Sequence, residues 1–142
     1  MKLKMACGGL VWAKGFGRLL GPGNSGWFYE TNNDAVFVSR FDNDFLFYNQ
    51  NRVGYTLRAA ESGFGFQAQV YWNWNATADT RRQSWANFAE TGPGLRFRFN
   101  SMPTSLLFTV NGLRGAYLVN QGGVRLPSFS DLRVGIWYAL SR

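Results

Sequence analysis

The chain has 142 residues, enough for one domain with a packed interior and too few for two. Charged residues make up 16% and hydrophobic ones 46%, a balance that excludes intrinsic disorder. Fifteen Lys plus Arg against eight Asp plus Glu give a net charge of +7, yet the cations are scattered singly or in pairs, which speaks against a nucleic-acid-binding patch.

Aromatic residues reach 18% and there are 17 glycines, a combination that favours strands and turns over helices. The longest apolar runs fall far short of the roughly 18 residues of a transmembrane helix, so a membrane-spanning form of this chain has to be a barrel. The absence of histidine removes the commonest general base and metal ligand together. Cys7 is the single cysteine, so an intramolecular disulfide and a cysteine metal cluster are both excluded. These absences lead to the expectation of a non-enzymatic protein without a cofactor.

Lys2 and Lys4 precede a short apolar stretch, Met5 to Ala13, that looks like the opening of a signal peptide but is broken by glycine and has no convincing cleavage site. Residues 3 to 13 can alternate as a strand, although Gly8-Gly9 weakens it, and Gly15 to Gly26 reads as turn or loop. Residues 1 to 26 are therefore expected to be poorly defined, with one strand plus a loop, and residues 27 to 142 to form the domain. Trp27 to Arg40 predicts a strand, and Asp42-Asn43-Asp44 a turn; this triplet lacks the downstream glycine and glutamate of a calcium loop. Phe45 to Leu57 predicts the next strand, with Phe45, Phe47, Val53, Tyr55 and Leu57 on one side, interrupted there by Asn49 and Asn51.

The clearest strand is Phe66 to Thr77. Phe66, Ala68, Val70, Trp72, Trp74 and Ala76 fall on one parity and Gln67, Gln69, Tyr71, Asn73, Asn75 and Thr77 on the other. Its polar face is almost uncharged, which suits a water-filled lumen, and its tryptophan-bearing face suits a bilayer interface. Ala78 to Gln83 turns out of it. Leu95, Phe97 and Phe99 then alternate with Arg96 and Arg98, and Pro93, having no amide, predicts a bulge or strand restart near Gly94. Asn100 to Pro103 predicts a tight turn, Leu106 to Asn111 a strand, Leu118 to Ser130 a long loop, and Asp131 to Leu140 the final strand. About six strands, with a seventh at the N-terminal end, are expected.

The final strand sets Arg133, Gly135, Tyr138 and Leu140 just before the C-terminus, in the pattern by which outer-membrane barrels are marked for insertion. Several further segments, in order, resemble one family. They are Ser39 to Tyr55, Val70-Tyr-Trp-Asn-Trp-Asn-Ala-Thr77, Asp79-Thr-Arg-Arg-Gln-Ser-Trp85, Glu90-Thr-Gly-Pro-Gly94, Asn111-Gly-Leu-Arg-Gly115 and Ser130 to Tyr138. From about Trp27 onward the chain resembles the C-terminal domain of the phage-adsorption outer-membrane protein A family (NfrA-like, receptors of the N-four coliphage). The resemblance implies an all-β fold, an antiparallel transmembrane β-barrel in the Gram-negative outer membrane. It implies a phage tail protein as partner, and a relation to exopolysaccharide-export barrels makes exopolysaccharide a second one. The helical repeats and the usable export signal of that pattern are missing. The chain is therefore read as the C-terminal part of a larger barrel, whose remaining strands and outer-membrane lipid are its other partners; nucleic acid is not among them.

Within that reading the polar parities place Arg52, Gln67, Gln69, Asn73, Asn75, Arg96, Arg98 and Arg133 toward the lumen, in a mixed-charge wall with Glu90 and Asp131. A C-terminus in the periplasm puts connections 118 to 130 and 78 to 83 outside, and 100 to 103 and 58 to 63 inside. The groups open to a phage are then Asp79, Arg81, Arg82, Asn120, Gln121 and Arg125. A reading of a different class is a soluble β-sandwich or open barrel that binds carbohydrate through exposed Trp72, Trp74, Trp85 and Trp137.

Overall fold

A computed structural model describes residues 7–20, 24–39, 44–58, 66–99, 106–120, 122–124 and 126–137. Among them the chain forms seven strands: β1 (Cys7–Gly17), β2 (Gly26–Val38), β3 (Asp44–Arg58), β4 (Phe66–Asp79), β5 (Phe88–Phe99), β6 (Leu107–Tyr117) and β7 (Phe129–Trp137). One short 3-10 turn, Ser84–Ala86, joins β4 to β5. Every strand pairs antiparallel with its sequence neighbour, giving a single sheet in the order β1-β2-β3-β4-β5-β6-β7. Among the described residues the sheet is open, with β1 and β7 as its edges.

The period-two alternation of each segment accounts for these strands, and three expectations need correction. Residues 7 to 17 form a full strand despite Gly8-Gly9, because β2 supplies an unbroken partner from Phe28 to Val38. Pro93 causes neither a bulge nor a restart: β5 runs straight through it, and its offset to β4 and to β6 is the same on both sides. Between Phe88 and Phe97 the ladder to β6 is interrupted at Gly92 and Pro93 alone, so the missing proline donor is absorbed as a two-residue gap in one ladder. Finally, β6 extends six residues beyond Asn111, and β7 starts at Phe129, two residues earlier than expected, which trims the connection between them. The expected turns at 42–43, 59–63 and 100–103 lie outside the described residues.

The sheet is inverted relative to a soluble domain. Among the described residues the buried side chains are mostly polar, including Gln69, Asn73, Thr56, Asn75 and Glu90, whereas the buried hydrophobic ones are only Phe28, Ala68, Tyr71 and Leu113 on strands and Ala86 in the 3-10 turn. Large apolar side chains such as Trp27, Val70, Trp72, Leu132, Val134 and Ile136 are exposed. An exposed apolar face this extensive is the informative departure from ordinary burial.

Curvature makes the two faces different. Arg96 on β5 reaches Glu30 on β2 at 3.0 Å, across two intervening strands. In a flat sheet, three strand spacings of about 4.8 Å and four residues of about 3.3 Å along the strand would part their backbones by about 20 Å. The two side chains together are too short for that, so the sheet curls toward its polar face. Along one row of that face the sequence alternates bulk with glycine: Phe28, Gly54, Tyr71, Gly94, Asn111. A Cβ at Gly54 or Gly94 would run into Tyr71. The glycines therefore let Phe28 and Tyr71 meet edge-on at 6.3 Å over β3, and Tyr71 bond Asn111 at 3.0 Å over β5.

Candidate functional site

The concave face carries a continuous polar network. Its centre is Glu30, whose carboxylate accepts from Arg52 Nη1 at 2.6 Å and from Arg96 Nη2 at 3.0 Å. Both guanidinium groups lie over the Tyr71 ring, 5.4 and 5.8 Å from its centroid. Arg52 Nε donates to Asn73 at 3.0 Å, and Asn73 Nδ2 passes the chain to Asn111 at 3.0 Å. Arg96 Nε donates to Gln69 at 2.8 Å, and Gln69 Nε2 donates to Thr56, whose hydroxyl bonds the carbonyl of Arg18. A second centre is Glu90, held bidentately by Arg133 at 2.6 and 2.7 Å, with Arg133 Nε on Asp131 at 2.7 Å. Asn75 Nδ2 donates to the same Glu90 oxygen at 2.9 Å. Such pairing is what makes buried charge tolerable, since each guanidinium shares its carboxylate with further donors.

All eight residues expected on the polar parity, Arg52, Gln67, Gln69, Asn73, Asn75, Arg96, Arg98 and Arg133, lie on this face. Arg98 Nη2 donates to Gln67 at 3.0 Å while Phe97, on the opposite face, stacks on Phe108 at 5.4 Å. Charge is graded along the strands: Arg58, Arg96 and Arg98 cluster toward the start of β4, and Asp34, Asp44 and Asp79 toward its end. Sequence reasoning missed Glu30, Tyr71 and Asn111 as members. Their parity was legible, but their partners lie two or three strands away and emerge only once the sheet curls.

The connections behave differently. Asp79 was expected as a reachable loop group, and the structure corrects this: it is 8% exposed. Its carboxylate accepts from the Gln83 amide at 3.0 and 3.1 Å and from Asn87 Nδ2 at 2.6 Å, which ties the turn closed. Arg81, Arg82 and Asn120 are exposed, with Arg82 at φ 55 in the turn. Gln121 and Arg125 lie outside the described residues, as do Tyr138 and Leu140 of the terminal signal. Gly135 and Arg133 of that signal stand on the concave side of β7, Gly135 opposite Thr109.

On the convex face, Asn49 and Asn51 do not stand alone in the apolar surface. Tyr29 Oη donates to Asn51 at 2.8 Å, Asn51 to Asn49 at 2.6 Å, Asn49 to Asn33 at 2.6 Å, and Asn33 to Thr31 at 3.3 Å. Each amide thus spends a donor and an acceptor inside the chain of bonds, lowering the cost of an apolar setting. The tryptophans make no common platform. Trp72 and Trp74 are convex, while Trp85 follows β4 at one end of the sheet and Trp137 closes β7 at the other.

Fold and site define the chain as an all-β protein built from one curled, seven-stranded antiparallel meander with a polar concave face. No family model matches the chain, and neither a curated protein nor a solved structure does.

Proposed function

We propose that this chain is part of an outer-membrane β-barrel of Gram-negative type, without enzymatic activity, that serves as a phage receptor of the NfrA-like kind. The single observation that carries the reading is the inversion of the sheet. A network of ion pairs and amide bonds lines the concave face and exposed tryptophan, leucine and valine cover the convex one, as a water-facing lumen and a lipid-facing wall require. The edges of β1 and β7 would pair with the remaining strands of the barrel, because an open edge in hydrocarbon costs several kcal/mol for each unsatisfied backbone group. The relation to exopolysaccharide-export barrels adds polysaccharide passage as a second role of the concave face. Carbohydrate binding by a soluble form is less well supported, since Trp85 and Trp137 stand at opposite ends of the sheet, apart from the neighbouring Trp72 and Trp74.

Fractionation tests the membrane reading: the expected outcome is recovery only with detergent, and recovery of folded protein from the aqueous fraction overturns it. Receptor function is tested in the full-length protein by replacing 80–83 and 119–125 with Gly/Ser and measuring phage attachment. Loss of attachment with surface expression intact is expected; unchanged attachment removes Arg81, Arg82 and Asn120 from the receptor surface.

A further inference from the structure

The strand charges divide unequally between the two faces. Every carboxylate on a described strand, including Glu30, Asp79, Glu90 and Asp131, takes the concave parity, and so do Arg52, Arg58, Arg96, Arg98 and Arg133. The described strands carry two charges on the convex face, Lys14 on β1 and Arg114 on β6, both cationic and both exposed. They belong to one register row, which runs from Lys14 through Thr31, Asn51, Trp74 and Thr91 to Arg114. Toward the start of β4 from that row the convex face is apolar on β3 (Val53, Tyr55, Leu57), β5 (Leu95, Phe97) and β7 (Leu132, Val134, Ile136); toward the end of β4, Asn33 and Asn49 share the next row with Trp12, and Leu10, Phe45 and Phe47 are exposed beyond them.

Directly below Arg114 the surface dips. Pro93 and Gly112 form the floor of a groove of 580 Å³, walled by Trp72 and Leu132 and bordered at its polar end by Arg114 and Ser130. A Cβ at Gly112 would meet nothing within 4 Å, so the groove is open above it. Trp72 is fixed as a wall by its indole N–H, which donates to Thr91 at 2.7 Å.

We propose that this row is a docking line for an anionic, phosphate-bearing acyl lipid: Arg114 and Lys14 hold the head groups, and the Pro93–Gly112 groove receives part of an acyl chain. The inference rests on the membrane reading above and deepens it. Cations with no carboxylate on their own face, in a row shared with Thr31, Asn51 and Thr91 and beside the indole of Trp74, match the interfacial level of a bilayer in both charge and polarity. A guanidinium suits a phosphate through paired N–H donors, and the groove beneath it supplies the apolar contact that a free anion would not use.

The test is native mass spectrometry of the full chain refolded in detergent micelles, with phosphatidylglycerol and phosphatidylcholine of identical acyl chains as probes. The expected result is retention of phosphatidylglycerol about fivefold over phosphatidylcholine, in line with the attraction of one or two interfacial cations. The Lys14→Gln, Arg114→Gln double variant abolishes that preference, and Arg114→Lys keeps most of it. Gly112→Leu, at a position where the Cβ has open space around it, occupies the groove and weakens retention of both lipids. Equal retention of the two lipids by the unaltered chain overturns the docking line while leaving the membrane reading intact, as does a preference unchanged in the double variant. Displacement of phosphatidylglycerol by millimolar inorganic phosphate reduces the site to a bare anion contact and overturns the groove. A chain that stays folded in the aqueous phase without detergent overturns the membrane reading and the docking line together.

Discussion

The two faces of this one sheet solve opposite problems with the same backbone. On the concave face nearly every polar group has a partner on another strand, often a distant one, as in Arg96 with Glu30 and Arg133 with Glu90. On the convex face apolar side chains meet ring to ring, as in Trp27 with Tyr55 and Phe97 with Phe108, while Tyr29, Asn33, Asn49 and Asn51 bond among themselves and Trp72 bonds Thr91. The difference teaches where the cohesion of the sheet resides. Its polar side-chain contribution comes from ionic and amide pairs inside the curl, while large apolar residues outside stay exposed.

The largest expected effect breaks the concave side. Glu30→Ala leaves Arg52 and Arg96, with side chains only 15% and 13% exposed, without their shared counter-charge. Removing one partner of a buried pair costs about 3 kcal/mol or more, so urea denaturation of the refolded chain should show a loss of that size. A loss below about 1 kcal/mol would mean that water, and not Glu30, neutralises the two arginines.

Next comes a charge on the convex side. Val134 is 72% exposed, so Val134→Arg would be nearly neutral in a soluble protein. Facing hydrocarbon it costs about 2 to 4 kcal/mol, depending on depth. Measuring the folding equilibrium of this variant into lipid vesicles decides between the two, and a change within about 0.5 kcal/mol contradicts a lipid-facing wall.

A smaller effect sharpens the account of the curl. Gly94→Ala pushes a methyl group into the Tyr71 ring and Asn111, which should cost about 1 to 3 kcal/mol and loosen the bond from Tyr71 to Asn111. Gly112→Ala, on the convex side where a Cβ meets nothing, serves as the matched control and should change stability far less. Similar losses in both would assign the effect to backbone conformation instead of to the Tyr71 contact.

The smallest stability effect is expected in the turn. Replacing Arg81 and Arg82 by Ser removes exposed side chains and should alter stability by no more than about 0.5 kcal/mol, whereas Asp79→Ala cuts the bonds to Gln83 and Asn87 and should expose residues 80 to 87 to faster hydrogen exchange. If both changes leave exchange untouched, the Asp79 brace contributes nothing to the order of the turn.

Strand positions and facing were written into the sequence, because side-chain parity is a local property of an extended backbone. The alternation of Phe66 to Thr77 assigned both faces of β4, and Leu95 to Phe99 did the same for β5. Pro93 and Gly8-Gly9 misled for one reason: a local preference against strand is outweighed when a neighbouring strand supplies the ladder, and that neighbour is not visible from the residue itself. Asp79 misled in the same way, since a carboxylate at a turn looks solvated until Gln83 and Asn87 fold back onto it.

What the tertiary structure alone decided is which of those inward side chains meet. Glu30 and Arg96 are 66 positions apart, and their bond exists because glycine at 54 and 94 lets the sheet curl over Tyr71. Likewise Lys14 and Arg114 share a row only after five pairings have fixed their registers one upon another. Parity depends on the residue and its nearest neighbours in sequence, whereas register and curvature are sums over every strand between two partners, and such sums have no local signature.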